Sequence, residues 1–192
     1  MRVLVACEFS DVAGREFRAL GHDVTSCDFR PREGSPKHHQ GDIRDLLSEY
    51  WDAIIAFSPC TRKALSGVQW LKKRDLWADL DAECELFNAI GNANSPRISR
   101  ENSQPHGEAM KRVGKYSQRL EARWFGEAEK KTVCLWLKGL PPLVVPDKSL
   151  WVPKSDCKET VWRMPPGPDR EKERSRFFPG IAKAMATQWS NL

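Results

Sequence analysis

Apolar positions fall in short, dense runs separated by polar turns, and the spacing inside each run predicts its element. Residues 2–7, Arg2-Val3-Leu4-Val5-Ala6-Cys7, are apolar at nearly every position, as in a strand covered on both faces. Residues 12–20 carry helical spacing, Gly21-His22-Asp23 stops the helix, and residues 24–28 start a second strand, giving a strand–helix–strand unit. Further strands are predicted over residues 52–57, closed by Ser58-Pro59, over 96–101 and over 132–137. Helices are predicted over 43–50, about 76–90 and 181–189. Seven prolines between residues 141 and 168 rule out regular structure there and predict an extended arm, followed by a mixed-charge stretch over 169–176. Strands alternating with helices predict an α/β fold with a mostly parallel sheet and helices on both faces.

In such a sheet ligands bind at the carboxyl ends of the strands, and four reactive side chains fall there: Glu8, Asp28, Cys60 and Glu101. A carboxylate just past the second strand suits the two hydroxyls of a ribose, which is one reading of Asp28; a solvated loop aspartate is the other. Asp42 in Gly41-Asp42-Ile43 suits an exocyclic amino group, or else caps the helix that follows. Cys60 follows a proline turn and precedes Arg62 and Lys63, cations that favour a thiolate; a buried structural cysteine is the alternative. A cysteine nucleophile paired with the carboxyl of Glu101 suits addition to carbon 6 of a pyrimidine, the acid holding the ring nitrogen as charge develops.

Composition narrows the class. The chain has 192 residues, 40% hydrophobic and 30% charged, as expected of one domain spanning 1–192. No apolar run reaches the roughly 18 residues of a membrane span, so no membrane partner and a cytoplasmic location are expected. Six cysteines without a Cys-x-x-Cys pair predict free thiols and no metal. The net charge of +5 is modest, but residues 61–74 hold five basic side chains and no acidic one, with Trp70 among them.

The order Glu8-Phe9-Ser10, Asp28, Gly41-Asp42-Ile43, Ser58-Pro59-Cys60, Glu101-Asn102-Ser103 and a closing alanine-rich helix resembles the DNA cytosine-C5 methyltransferases. The likeness is strongest to the short phage- and prophage-encoded DNA methylases, through residues 3–10, Ser66-Gly67-Val68-Gln69-Trp70-Leu71, residues 134–143, residues 164–170 and Phe178-Pro179-Gly180-Ile181-Ala182. The resemblance implies a Rossmann-like S-adenosylmethionine-dependent methyltransferase fold with a minimal target-recognition segment over 143–174. It implies S-adenosyl-L-methionine as cofactor, held by Glu8, Phe9, Ser10, Asp11, Asp28, Phe29, Asp42, Ile43, Ser58 and Pro59. Within that set Phe9 would touch the cofactor, Asp28 its ribose and Asp42 its adenine. Cys60 would add to carbon 6 of a flipped cytosine, Glu101 would hold nitrogen 3 and the amino group, and Arg123 would serve as a further catalytic residue. DNA would be met by Arg62, Lys63, Gln69, Trp70, Lys72, Lys73, Arg74, Lys131, Arg163, Arg174 and Arg176, with Trp151, Trp162, Lys154 and Lys158 of the arm as further contacts. The implied role is self-modification of phage DNA against restriction in a bacterial host; the oligomeric state is open, a monomer being the nearer expectation.

The chain departs from the family at defined positions. Asp11 stands where the family has a glycine, Ser58 where many relatives have a proline, and Thr61 where a glutamine is usual. The late Gln-x-Arg-x-Arg pattern has only Arg119, Glu121 and Arg123 as its nearest match, and Arg174-Ser175-Arg176 replaces the asparagine before the last helix. These departures motivate two alternatives. One is a catalytically silent DNA-binding relative; the other is an enzyme transferring a carboxylated group, with Arg174 and Arg176 pairing its anion.

Overall fold

The computed structural model describes residues 1–192 except the side chain of Trp162. Its centre is the pairing of the two most apolar strands, β1 (Arg2–Ala6) and β4 (Ala53–Ala56), which run parallel with Val3 opposite Ala53 and Ala6 opposite Ala56. Alternate residues face opposite sides of a strand, so both sides need cover. Val3, Val5 and Ile55 pack with α1 (Val12–Ala19) and α7 (Pro179–Trp189); Leu4, Ala6, Ile54 and Ala56 pack on the other side with Ile90 of α3 (Trp77–Gly91).

From this centre the sheet grows both ways, through β2 (Asp23–Asp28) to β3 (His38–Gln40), and through β5 (Ile98–Ser103) to β7 (Thr132–Lys138) and β6 (Gln118–Glu121). The order is β3-β2-β1-β4-β5-β7-β6, and β7 is antiparallel to both its neighbours while the other pairings are parallel. This is the mostly parallel, Rossmann-like α/β architecture expected from the sequence. The chain leaves β1 toward one edge and returns to the other side at β4, so the loops after these strands diverge and leave a crevice at their carboxyl ends.

Several expected boundaries change. The helix expected over 43–50 is only a 3-10 turn, Ile43–Leu46, because Ile43 and Trp51 are both drawn into the core and Trp51 Nε1–H donates to the Leu46 carbonyl at 3.0 Å. The strand expected over 96–101 starts at Ile98, since Ser95 Oγ–H donates to the Arg97 carbonyl at 2.9 Å and holds a turn there; Glu101 therefore lies within the strand. The short elements β3, β6, α2 (Val68–Lys73) and α4 (Gly107–Val113) were not foreseen, being too short to establish a period.

The arm is largely extended, interrupted by 3-10 turns and α5 (Thr160–Arg163), and leads into α6 (Arg170–Arg174). It packs on the core: Trp151 stacks on Trp124 with ring centroids 5.0 Å apart, and Trp189 Nε1–H donates to the Pro141 carbonyl at 3.1 Å. Trp151 is thus a packing residue, and the expectation for the Trp162 side chain lies outside the described residues. Among the described residues, no helix is long and apolar enough to cross a membrane, and no group of three or more His, Cys, Asp or Glu side chains could hold a metal ion.

Gly139, which ends β7, has φ +61°, and a Cβ there would overlap the Pro96 carbonyl oxygen. Left-handed backbone and collision add, so Gly139→Ala should cost about 2–4 kcal/mol. A urea unfolding curve should show a lower midpoint at unchanged slope.

Candidate active site

The loop after β1 is held by a carboxylate. Glu8, buried, accepts from the Ala13 N–H at 2.8 Å, the Gly14 N–H at 3.3 Å and the Ser10 hydroxyl at 3.3 Å, so it fills the positive end of α1. Burial raises its pKa, while the α1 amides oppose the rise. Glu8, expected among the cofactor residues, closes the helix terminus with its carboxyl. A helix end satisfied from within offers no seat to the pyrophosphate of a dinucleotide. Asp11, at the family's glycine position, has φ +62°, the left-handed conformation glycine would take, and its carboxylate turns under the loop to pair with Arg18. The departure therefore preserves the backbone path and buries the extra side chain.

Asp28 ends β2 and accepts from the Arg30 N–H at 2.8 Å, and the ring of Phe29 beside it is 70% exposed. Asp42 caps the 3-10 turn: its two oxygens accept from the Arg44 N–H and from the Arg44 guanidinium, both at 2.9 Å. The Ile43 side chain is in the core, which leaves only its backbone for a ligand. Phe9 is 3% exposed, and Arg30, Lys172 and Arg176 lie 5.4–5.6 Å from its ring centroid. These cations belong to a charge cluster across the chain: Arg176 and Lys172 pair with Glu33 at 2.6 and 2.9 Å, and Arg30 pairs with Glu171 at 2.9 Å. Arg176 and Lys172 hold the Glu33 carboxyl at about 2. Arg176, expected on DNA, is thus committed to Glu33 and Glu173.

Cys60 lies on the loop after β4, and Glu101 lies within β5, the strand that runs parallel beside β4. Burial pushes the thiols of Cys7, Cys27 and Cys134 to about 12 and raises that of Cys84, and Cys157 is buried with its thiol on the Pro153 carbonyl. Cys60, half-buried on the loop after β4, is the remaining thiol. Glu101 is 8% exposed, and its Oε1 is buried without a hydrogen-bond partner. Burial raises its pKa; Lys131 and Lys63 pull it back in part. The hydroxyl of buried Ser58 and Oδ1 of Asn102 are likewise buried without partners. Pro59, between Ser58 and Cys60, is exposed.

Of the expected nucleic-acid residues, Gln69, Lys72, Lys73 and Arg74 are exposed on or just after α2, with Arg74 and Lys73 over the half-exposed ring of Trp70 at 4.6 and 5.5 Å. The Arg62 guanidinium is tied to Asp79 at 3.2 Å, and exposed Arg163 pairs with Glu159 at 2.8 Å. Lys63 is a correction: it is 1% exposed, so its ammonium cannot reach a phosphate. Arg123, expected as a further catalytic residue, pairs with Glu121 at 2.7 Å, donates to the Val152 carbonyl at 3.4 Å and lies over Trp151 at 5.2 Å, contacts that tie it to the arm. Lys131 and Arg174 both line a cleft of about 420 Å³, together with Leu65, Ser66, Ser103 and Gln104. Sequence reasoning missed Glu83, Glu129 and His106. Glu83 accepts from the Arg62 N–H, Glu129 accepts from the Thr160 and Val161 N–H groups at the start of α5, and His106 Nε2 bonds the Arg62 carbonyl at 2.7 Å. Nothing in the local pattern marks them, because their partners are distant in sequence.

Because folding raises the Glu101 pKa above its ordinary 4.5, its contribution to stability is fully present below pH 4.5 and is lost as pH rises through the folded value. Glu101→Gln should therefore gain stability relative to the parent between pH 4.5 and neutrality, read as paired urea midpoints across that range. A variant that loses ground as pH rises would contradict the buried, partnerless carboxyl.

No family model matches the chain, and no curated protein matches it. Among solved structures, a chain described as "putative DNA modification methyltransferase encoded within prophage" (E. coli) is similar, with 15% identity and a TM-score of 0.49 over 76% of this chain. The present chain spans about half of that neighbour, 51% of its length.

Proposed function

We propose that the chain is an S-adenosylmethionine-dependent DNA methyltransferase acting on carbon 5 of cytosine through a covalent adduct on Cys60, in the service of phage DNA modification. The observation that carries this reading is the half-buried Cys60 on the loop next to a strand bearing Glu101, a buried carboxyl with raised pKa and an open oxygen. A carboxyl whose pKa is raised by burial holds its proton more readily, and such a group can donate to a ring nitrogen, which is what a pyrimidine needs when a thiolate attacks it.

The residues at the crevice fit the proposed cofactor: Asp28 offers a carboxylate for a ribose, exposed Phe29 a face for a purine, and Ser58 a buried hydroxyl without a partner. Bound there, S-adenosylmethionine supplies an electrophilic methyl group. On the protein side, Cys60 Sγ bonds carbon 6 and sends the ring electrons toward carbon 5, while Glu101 holds nitrogen 3. After methylation a base removes the carbon 5 proton and the sulfur–carbon bond breaks, returning the thiolate. A stacked base cannot present carbon 6 to a thiol, so the target is flipped or single stranded. The cleft of about 420 Å³, lined by Ala64 and Leu65 just past the Cys60 turn and by Glu159 and Arg174 of the arm, offers room for a nucleotide beside that turn. The exposed cations of α2 supply phosphate contacts.

The cover over Phe9 favours a second reading, a silent DNA-binding relative, in which cofactor binding is undetectable while DNA binding persists with a steep salt dependence. A carboxylated cofactor is disfavoured, since Arg176 already has two carboxylate partners.

Nucleosides from the DNA of cells expressing the protein should show a methyl-sized increment on deoxycytidine by mass spectrometry, absent with Cys60→Ser. Unmodified DNA from folded protein would move the assignment to the silent relative, and modification by Cys60→Ser would remove the nucleophile. Glu101→Gln should lower turnover on the order of 100-fold or more with the fold intact.

A further inference from the structure

We propose that Lys63 is a positioning residue for Cys60, its buried ammonium holding the Pro59–Cys60 peptide in the turn that presents the thiol and keeping a fixed positive charge beside it. The assignment rests on the reading of Cys60 as the nucleophile. Lys63 is 1% exposed, and lysine is almost never buried so completely without partners. Its Nζ donates to the Pro59 carbonyl, the oxygen of the peptide bond that leads into Cys60. It also reaches the Glu83 carbonyl at 3.5 Å, faces the Glu83 carboxylate at 3.6 Å and lies 5.3 Å from the centre of the Phe87 ring.

The same turn is gripped around Lys63. Both Glu83 oxygens accept from the Arg62 N–H, at 3.1 and 3.3 Å; the His106 N–H donates to the Lys63 carbonyl at 3.2 Å, and the Ala64 N–H donates to the Cys60 carbonyl at 2.8 Å. Residues 59–64 are thereby fixed between α3 and the start of α4. An apolar side chain of similar volume would fill the site without the cost of desolvating an ammonium, so packing does not account for a lysine here. A charge does: the ammonium faces the Glu83 carboxylate, and a thiolate or a developing anion on a substrate ring is stabilised by a cation already in place.

The test uses the purified full chain and needs no cofactor. Cys60 is alkylated in parallel with iodoacetate, an anion, and iodoacetamide, its neutral counterpart, and the two adducts are quantified by peptide mass spectrometry. Buried Cys84 and Cys134 report the fold by remaining unreacted. Loss of a nearby unit charge should lower the iodoacetate-to-iodoacetamide rate ratio roughly threefold or more in Lys63→Met, while Lys63→Arg retains it. A looser turn alone changes both rates together and leaves the ratio unmoved. Should Lys63→Met expose Cys84 and Cys134, Glu83→Gln decides instead, because it keeps an acceptor for the Arg62 N–H but removes the opposing charge, and should raise the ratio. An unchanged ratio in folded Lys63→Met, or in Glu83→Gln, overturns the proposal. So does weaker DNA binding by Lys63→Met with a salt slope reduced by about one, the mark of a phosphate contact. If the parent protein leaves DNA unmodified, the methyl-transfer reading fails while the alkylation ratio still judges Lys63.

Discussion

The parallel pairing of β1 with β4 is the constraint on which the structure depends. These two strands have no polar face, so the chain must bring helices to both sides of them, and it draws those helices from distant parts of the sequence: α1 and α7 on one side, α3 on the other. The strand order turns back between β1 and β4, and the loops of interest leave the sheet at that point. The crevice follows from covering an apolar centre with a chain that must reverse.

Around that crevice the buried carboxyls form a contrast. Glu8 takes the amides of α1, Glu129 those at the start of α5, and Asp11 the guanidinium of Arg18. Glu8 and Glu129 thereby meet the requirement that a buried charge be matched by donors, while Asp11 pairs through one oxygen only. Glu101 has an oxygen with no such donor and stands beside the Cys60 loop. A carboxyl left incomplete beside a candidate nucleophile is where an external partner has something to supply. For the same reason the raised pKa of Glu101 has a different meaning from that of Glu8, where the helix amides compensate burial.

Legibility in the sequence followed the range of the interactions. β1, α1, β2, α3, β7 and α7 are patterned over enough residues to be found, and β4 is marked by an unbroken apolar run, whereas β3 and β6, at three and four mostly polar residues, exist because a neighbour supplies their hydrogen bonds. Strand ends could be located, so Asp28, Cys60 and Glu101 could be singled out. The orientation of a side chain could not. Lys63 read as part of a basic surface run, yet Glu83, twenty positions on, turns it inward; Arg123 read as a match to a catalytic pattern, yet Trp151 and Glu121 claim it. Asp11 read as an obstacle, and only the backbone angle reveals an aspartate in a glycine's conformation.

The charge cluster that joins Arg30 and Glu33 to Glu171, Lys172 and Arg176 has a consequence for biosynthesis. The two halves of this cover are separated by some 140 positions, and α7, which follows, supplies the apolar floor beneath β1. While the chain is still on the ribosome, the first strand–helix–strand unit has neither its cover nor its floor. That edge of the sheet is therefore covered only once the residues of α6 and α7 have been synthesised, and until then the crevice beside β1 stands open.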